Sequence, residues 1–127
     1  MRPTTVDSVI IEDEKVLLIK RKFNPFKGKW ALPGGFVDEG ETVEEAVERE
    51  TMEETGVKVK IVKLIGVYSK PERDPRGTIS VAFLTKPASK EARGGDDAEE
   101  ARWFELDKLP EMAFDHKKII EDARRML

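Results

Sequence analysis

Three glutamates, Glu50, Glu53 and Glu54, lie together near the end of the stretch GFVDEGETVEEAVERETMEETGV, Gly35 to Val57, with Arg49 beside them and Glu41 upstream. Val43, Ala46 and Val47 have the i, i+3, i+4 spacing that stacks side chains on one face of a helix. One turn further along that face come the three carboxylates. Burying neighbouring carboxylates costs several kcal/mol per ion, plus like-charge repulsion, unless they take up protons or find cations. A metal ion is the direct answer. Mg²⁺ prefers oxygen ligands and keeps some of its waters, so two or three carboxylates suit it and leave room for phosphate oxygens. A solvated face held by Glu54–Lys58 or Glu45–Arg49 pairs is the competing reading, but Lys58 lies past Gly56, and glycine is the usual helix stop.

Gly35, Glu41, Arg49, Glu50, Glu53, Glu54, Gly56 and Val57 fall in the register of the Nudix box: G, five residues, E, seven residues, R-E-U, one residue, E-E, one residue, G-U, with U bulky and apolar. The chain therefore resembles the Nudix hydrolases. Thr51 is the one departure, standing where an aliphatic residue is usual, and it touches none of the acid positions. The resemblance implies an α/β fold, a mixed-sheet α/β/α sandwich with the box as loop-helix-loop. It implies hydrolysis of a diphosphate with Mg²⁺, for which Mn²⁺ can substitute, held by Glu50, Glu53, Glu54 and the Gly35 carbonyl. Arg49 and Glu41 would orient the acids; a guanidinium fork fits that task. A general base comes from Glu53 or from Asp97, Glu99 or Glu100 in the loop before Trp103.

Substrate choice lies outside the box. Pro71 stands fifteen residues past Gly56, in YSKPERDPRG, Tyr68 to Gly77, a segment similar to that of ADP-ribose pyrophosphatases. Arg73 and Arg76 on this Pro-stiffened loop can offer planar donors to phosphate or ribose oxygens. Pairing with Glu72 and Asp74 alone is the alternative. Phe23, Phe26 and Tyr68 can stack an adenine, whereas Trp30, Phe83, Trp103 and Phe104 read as core or interface. His116, the single histidine, reads as a helix cap or surface contact, and Phe114-Asp115-His116 resembles the archaeal branch of the subfamily. The expected substrate is a nucleoside diphosphate sugar, with nucleoside triphosphates as a second enzymatic reading and a silent ADP-ribose sensor as a third. The resemblance also implies a homodimer.

The elements that must position these residues can be read in order. Thr4–Glu12 and Lys15–Arg21 flank an acidic turn and predict a hairpin. Residues 23–29 form a loop, Trp30-Ala31-Leu32 a short strand, and Pro33-Gly34-Gly35 a break that turns the chain toward the box helix. Thr42 and Glu45 make a capping-box pattern. Val57–Ser69 predicts a long strand with a bulge near Lys63. Thr78–Thr85 and Ala101–Glu105 are further strands, residues 87–99 an acid-rich mobile loop, and Phe114–Leu127 a final amphipathic helix.

The 127 residues suit one domain, 1–127, with a core of its own. The absence of Cys excludes disulfides, Cys-based zinc sites and a cysteine nucleophile. A net charge of −3 with interleaved signs argues against a general nucleic-acid binder. No run approaches the roughly 20 apolar residues of a membrane span, and Met1-Arg2-Pro3 opens no signal peptide, so a cytoplasmic protein is expected. No Gln, a single Asn and abundant Glu, Lys and Arg match the usage of proteins from hot environments.

Overall fold

Two adjacent residues, Asp13 and Glu14, take left-handed backbone conformations (φ 52° and 62°) and close a tight hairpin between β1, Thr4–Glu12, and β2, Lys15–Lys20. The computed structural model describes residues 1–88 and 100–127, so Asp97 and Glu99 lie outside the described residues. The remaining elements are β3 (Trp30–Ala31), β4 (Gly34–Phe36), α1 (Val43–Thr55), β5 (Val59–Tyr68), a 3₁₀ turn (Pro71–Arg73), β6 (Ile79–Pro87), β7 (Ala101–Glu105) and α2 (His116–Arg124).

Seven strands make one mixed sheet, in the order β3-β2-β1-β6-β5, with β7 also on β2 and β4 also on β1. β1 is the axis: it runs parallel to β6, and antiparallel to β4 in its first half and to β2 at its end. Alternation along the strands divides the core between two faces. Val9, Ala82 and Leu84 meet Ile119, Ile120 and Ala123 of α2 on one face, while Val6 and Phe83 meet Ala46 and Val47 of α1 on the other. The result is the expected α/β/α sandwich. β5 slips register between Ile61 and Lys63, and again between Leu64 and Gly66, bulges that swing Ile65 and Tyr68 toward the α2 face. No described helix is long and apolar enough to cross a membrane.

Two boundaries differ from expectation. Gly34 and Gly35 do not break the strand region but form β4, because bare backbone can lie flat against β1: a Cβ on Gly34 would stand 2.0 Å from the Val6 carbonyl oxygen. The last helix begins at His116 rather than Phe114. Phe114 has φ 52°, and Asp115, at the cap position, gives its carboxylate to Arg73 and makes no cap bond.

Candidate active site

Helix α1 starts on a reciprocal capping box, with Glu45 N–H donating to Thr42 Oγ1 at 3.0 Å and Thr42 N–H to Glu45 Oε1 at 2.9 Å. It ends at Gly56, whose φ of 72° suits glycine. Its buried stripe runs Ala46, Val47, Thr51, Thr55, so the three box acids sit along the edge of that stripe rather than in it. Thr51 is fully buried and donates its hydroxyl to the Val47 carbonyl at 2.6 Å; the helix therefore satisfies the polar atom that stands where an aliphatic residue was expected.

Arg49 joins this helix to the loop before it. Its Nε and Nη2 fork onto both oxygens of Glu41 (2.7 and 2.9 Å), Nη1 donates to Glu50 (2.8 Å) and more loosely to Glu53 (3.2 Å), and Nη2 also reaches the Phe36 carbonyl (3.1 Å). Arg49 and the Asp38 amide hold the Glu41 carboxyl down at about 2. Glu50 is raised by burial, against the pull of Arg49. Glu54 is pushed up to about 8, chiefly by burial and also by the Glu50 and Asp7 charges, although the Gly34 amide donates to it at 2.8 Å.

The donor set fits a hard divalent cation: carboxylate oxygens and a bare peptide segment, with no sulfur or imidazole among them. Gly35 supplies a second sign. A Cβ there would lie 2.6 Å from the Glu50 carboxyl carbon, so only glycine lets this backbone and this acid meet. Among the described residues no three acidic or histidine side chains converge on one point: Glu50 and Glu53 are turned to Arg49, and Glu54 to the Gly34 amide.

A cavity of about 360 Å³ opens beside the acids, lined by Glu53 and Glu54 of α1, by Ile19, Lys20, Arg21, Lys22 and Phe23, and by Glu100, which precedes the β7 strand paired with β2. That is a size suited to small-molecule sites, roughly 300–1,000 Å³. A smaller hollow of about 60 Å³ continues past Arg21, among Gly34, Gly35, Phe36, Arg76 and Phe114. Phe23, Glu100, Glu53 and Glu54 are thus brought together, Glu50 lines neither hollow, and Arg76 stands in the adjoining one.

Arg73 and Tyr68 are not placed as their sequence suggested. Arg73 is buried, its guanidinium spent on both oxygens of Asp115 (2.9 and 2.7 Å) and on Thr78 Oγ1 (2.8 Å), neither of the partners considered for it. It fastens the loop to the start of α2 with three of its five N–H donors, while lining the inner side of the smaller hollow. Tyr68 turns to the α2 face and donates to Asp122 at 2.7 Å, away from both hollows. Pro71 is exposed at the start of the 3₁₀ turn and lines neither hollow. Arg76 remains partly exposed, paired with the buried Asp74 at 2.9 Å.

His116 is neither cap nor surface residue. Its Nδ1 accepts from the Leu32 amide at 3.0 Å, which leaves the proton on Nε2, 3.3 Å from Asp7 Oδ1. Burial pushes Asp7 up, but His116, the Ser80 hydroxyl and the Arg73 charge more than offset it and hold the carboxyl below its usual value. This buried pair anchors the strand that presents Gly34 and Gly35. The sequence carried no signal for it, nor for the stacking of Arg21 on Phe114, since these partners stand far along the chain.

The NUDIX domain model matches residues 1–123. The chain belongs to the Nudix family. This Nudix domain is 60% identical to an ADP-ribose pyrophosphatase of Methanocaldococcus jannaschii over 121 residues, covering 94% of the chain and 72% of that protein. It spans only 63% and 65% of two other curated relatives, from Streptomyces ambofaciens and Bacillus subtilis. Its fold superposes on the NUDIX domain of Shewanella oneidensis NrtR in complex with ADP ribose (TM-score 0.79, 33% identity, 99% of this chain and 88% of that one). It also superposes on a Francisella tularensis bifunctional NMN adenylyltransferase/ADP ribose pyrophosphatase complexed with AMP and a manganese ion (TM-score 0.80, 30% identity, 99% of this chain and 42% of that one). Nudix hydrolases generally use divalent metal ions.

Proposed function

We propose that this Nudix domain hydrolyses the diphosphate of ADP-ribose to AMP and ribose 5-phosphate, with Mg²⁺ as the resident ion and Mn²⁺ as a substitute. The observation that carries this is the cavity itself: box acids on one wall, basic residues and an exposed aromatic on the other. The identity to the Methanocaldococcus enzyme supports the choice of substrate.

Glu50, Glu53, Glu54 and the Gly35 carbonyl are the groups that would hold the metal. When bound, the ion neutralises diphosphate oxygens and polarises the attacking water. The chain's own residues do the rest. Arg49 and Glu41 keep the acids aimed. Phe23, 76% exposed at the mouth, offers a face for the adenine. Arg76 takes the distal sugar side, from the adjoining hollow. Glu100 lines the cavity with no hydrogen bond or ion pair among the described residues, and we assign it as the proton acceptor for the water; Glu53 is the other carboxylate in reach. As water attacks one phosphorus, the bridging P–O bond breaks and the second phosphate leaves.

The NrtR likeness favours a second reading, an ADP-ribose sensor that binds without turnover. Product analysis decides between them: purified protein with Mg²⁺ is offered ADP-ribose, NADH, diadenosine polyphosphates and dGTP, with Glu53→Gln as control. AMP and ribose 5-phosphate from ADP-ribose, lost in the variant, are expected. Preference for dGTP would overturn the substrate, and tight binding of ADP-ribose without products would establish the sensor.

A cytoplasmic homodimer adapted to heat belongs to the same proposal. The outermost strand β5 leaves Val62, Leu64 and Val67 exposed, apolar surface that a second copy would cover. Gel filtration at micromolar concentration tests it.

A further inference from the structure

Residues 111–113 run beside Trp30 as the beginning of a parallel ladder. The Trp30 amide donates to the Glu111 carbonyl (3.3 Å) and the Ala113 amide to the Trp30 carbonyl (2.8 Å), with Met112 opposite Trp30. The next bond of such a ladder would run from the Leu32 amide to the Ala113 carbonyl. Phe114 prevents it. Its left-handed backbone (φ 52°) turns the chain into α2, and the Ala113 carbonyl accepts from the His116 amide instead (3.2 Å). The buried Leu32 amide would be an orphan donor, but the His116 imidazole occupies the vacated place, with Nδ1 accepting at 3.0 Å.

Leu32 leads directly into the acids. Pro33 has no N–H, so the Leu32 amide is the last donor before Gly34. The Pro33 carbonyl accepts from the Ser8 amide (2.8 Å), the Gly34 amide reaches Glu54 (2.8 Å), and Gly35 follows against the Glu50 carboxylate. The imidazole is aimed from behind. Its Nε2 lies 3.3 Å from Asp7 Oδ1, and the other Asp7 oxygen accepts from the Ser80 hydroxyl and lies 3.9 Å from Arg73. Arg73 in turn holds Asp115, the neighbour of His116, while Asp7 faces Gly34 across the β1–β4 pairing. The start of α2, β1 and the segment 32–35 are thus tied through one buried ring, and its orientation is passed on to Gly34 and Gly35.

We propose that His116 is a positioning residue for the metal site, its two nitrogens doing separate work. Nδ1, standing where a peptide carbonyl would otherwise be, sets the segment Leu32 to Gly35 against α1 and so the distance between the Gly35 carbonyl and the box acids. Nε2 and Asp7 hold the ring upright. Mg²⁺ tolerates little error, since it demands a near-ideal octahedron with ligands at about 2.0–2.1 Å. Residues behind the ligands therefore govern affinity without touching the ion. The inference rests on the reading of Gly35 and the box acids as the metal site, but not on ADP-ribose being the substrate.

Two substitutions separate the nitrogens. Asparagine puts an amide oxygen close to the place of Nδ1, whereas glutamine reaches the place of Nε2 and offers nothing to Leu32. Metal-stripped parent, His116→Asn and His116→Gln are compared by thermal unfolding and by isothermal titration with Mg²⁺ alone. Both variants should melt below the parent. His116→Gln should bind Mg²⁺ at least about tenfold more weakly, while His116→Asn should stay within about threefold of the parent. A purely structural histidine would lower both melting temperatures and leave the Mg²⁺ affinity of the folded variants unchanged. His116 is the only histidine, so its ring nitrogens can be followed by NMR in the parent itself. Nδ1 should be unprotonated, with a coupling across the bond from the Leu32 amide, and adding Mg²⁺ should shift both signals. Parental Mg²⁺ affinity in a folded His116→Gln, an equal loss in His116→Asn, or a proton on Nδ1 of the parent overturns the inference. So does a parent that binds no Mg²⁺. Should neither variant fold, the parent decides: signals of Leu32 and the imidazole that Mg²⁺ leaves unmoved overturn it. If ADP-ribose is not turned over while His116→Gln still loses Mg²⁺ affinity, the proposed substrate fails and His116 stands; turnover of ADP-ribose with parental Mg²⁺ affinity in the variant gives the reverse.

Discussion

Replacing Gly34 and Gly35 one at a time by alanine should separate stability from chemistry at two adjacent positions. In Gly34→Ala the new methyl meets rigid backbone, 2.0 Å from the Val6 carbonyl oxygen and 3.0 Å from its carbon, in the middle of the β1–β4 pairing. Neither strand can yield without losing bonds, so the cost should lie at or above the upper end of overpacking, about 3 kcal/mol or more. In Gly35→Ala the methyl meets only the end of the Glu50 side chain, 2.6 Å from its carboxyl carbon and from Oε2. That group can swing aside, sacrificing its 2.8 Å bond to Arg49, for about 1–2 kcal/mol. The displaced carboxylate, however, is then out of place for the metal. Thermal unfolding with and without Mg²⁺, beside kcat with ADP-ribose, reads both effects. At about 3–5 °C per kcal/mol for a domain of this size, Gly34→Ala should lose ten degrees or more, or fail to fold. Gly35→Ala should lose a few degrees, yet weaken Mg²⁺ binding at least tenfold and depress kcat further. A Gly34→Ala protein as stable as its parent, or a Gly35→Ala protein with parental metal affinity, would refute the reasoning.

Other outcomes follow from the same contacts. Thr51→Val removes a hydroxyl whose acceptor, the Val47 carbonyl, keeps its place in the helix, so melting should shift by less than about 1 kcal/mol equivalent and turnover should be unchanged. Glu41 is held at about 2 against an ordinary 4.5, a lowered value, so its contribution to stability is fully present above pH 4.5 and lost as the pH falls toward 2. Chemical denaturation at pH 6, 4 and 2.5 should show a shallower acid loss in Glu41→Gln than in the parent; equal slopes would remove Glu41 from the argument. Adding Mg²⁺ to chelator-treated protein should raise the melting temperature of the parent, but much less that of Glu50→Gln, because only a native site binds the ion.

The box helix was legible because its signals are local. Thr42 and Glu45 cap it three residues apart, Gly56 ends it with the one conformation glycine adopts freely, and Arg49 to Glu54 lie within two turns. The hairpin at Asp13-Glu14 and the β5 bulge were legible for the same reason. Illegible were contacts whose partners stand far apart in the chain. β4 is three residues long and exists only because it pairs with β1. Arg73 was read as pointing outward from a polar loop, whereas Asp115, 42 residues on, draws it inward. Asp97 and Glu99, the other base candidates, lie outside the described residues, so Glu100 alone of that group can be placed.

By itself the sequence determined the family, the helix that bears the acids and the kind of ion they suit, since periodicity, capping and residue spacing act over a few residues. Tertiary structure decided which basic residues face those acids. Arg21, Arg73 and Arg76 have the same chemistry, and although Arg76 takes the local partner the sequence offered, Asp74, nothing local distinguishes Arg21 from Arg73. One is left with free nitrogens on Phe114, one is drawn inward by Asp115 and Thr78, and one is paired with Asp74, because a guanidinium goes where the folded chain sets a carboxylate.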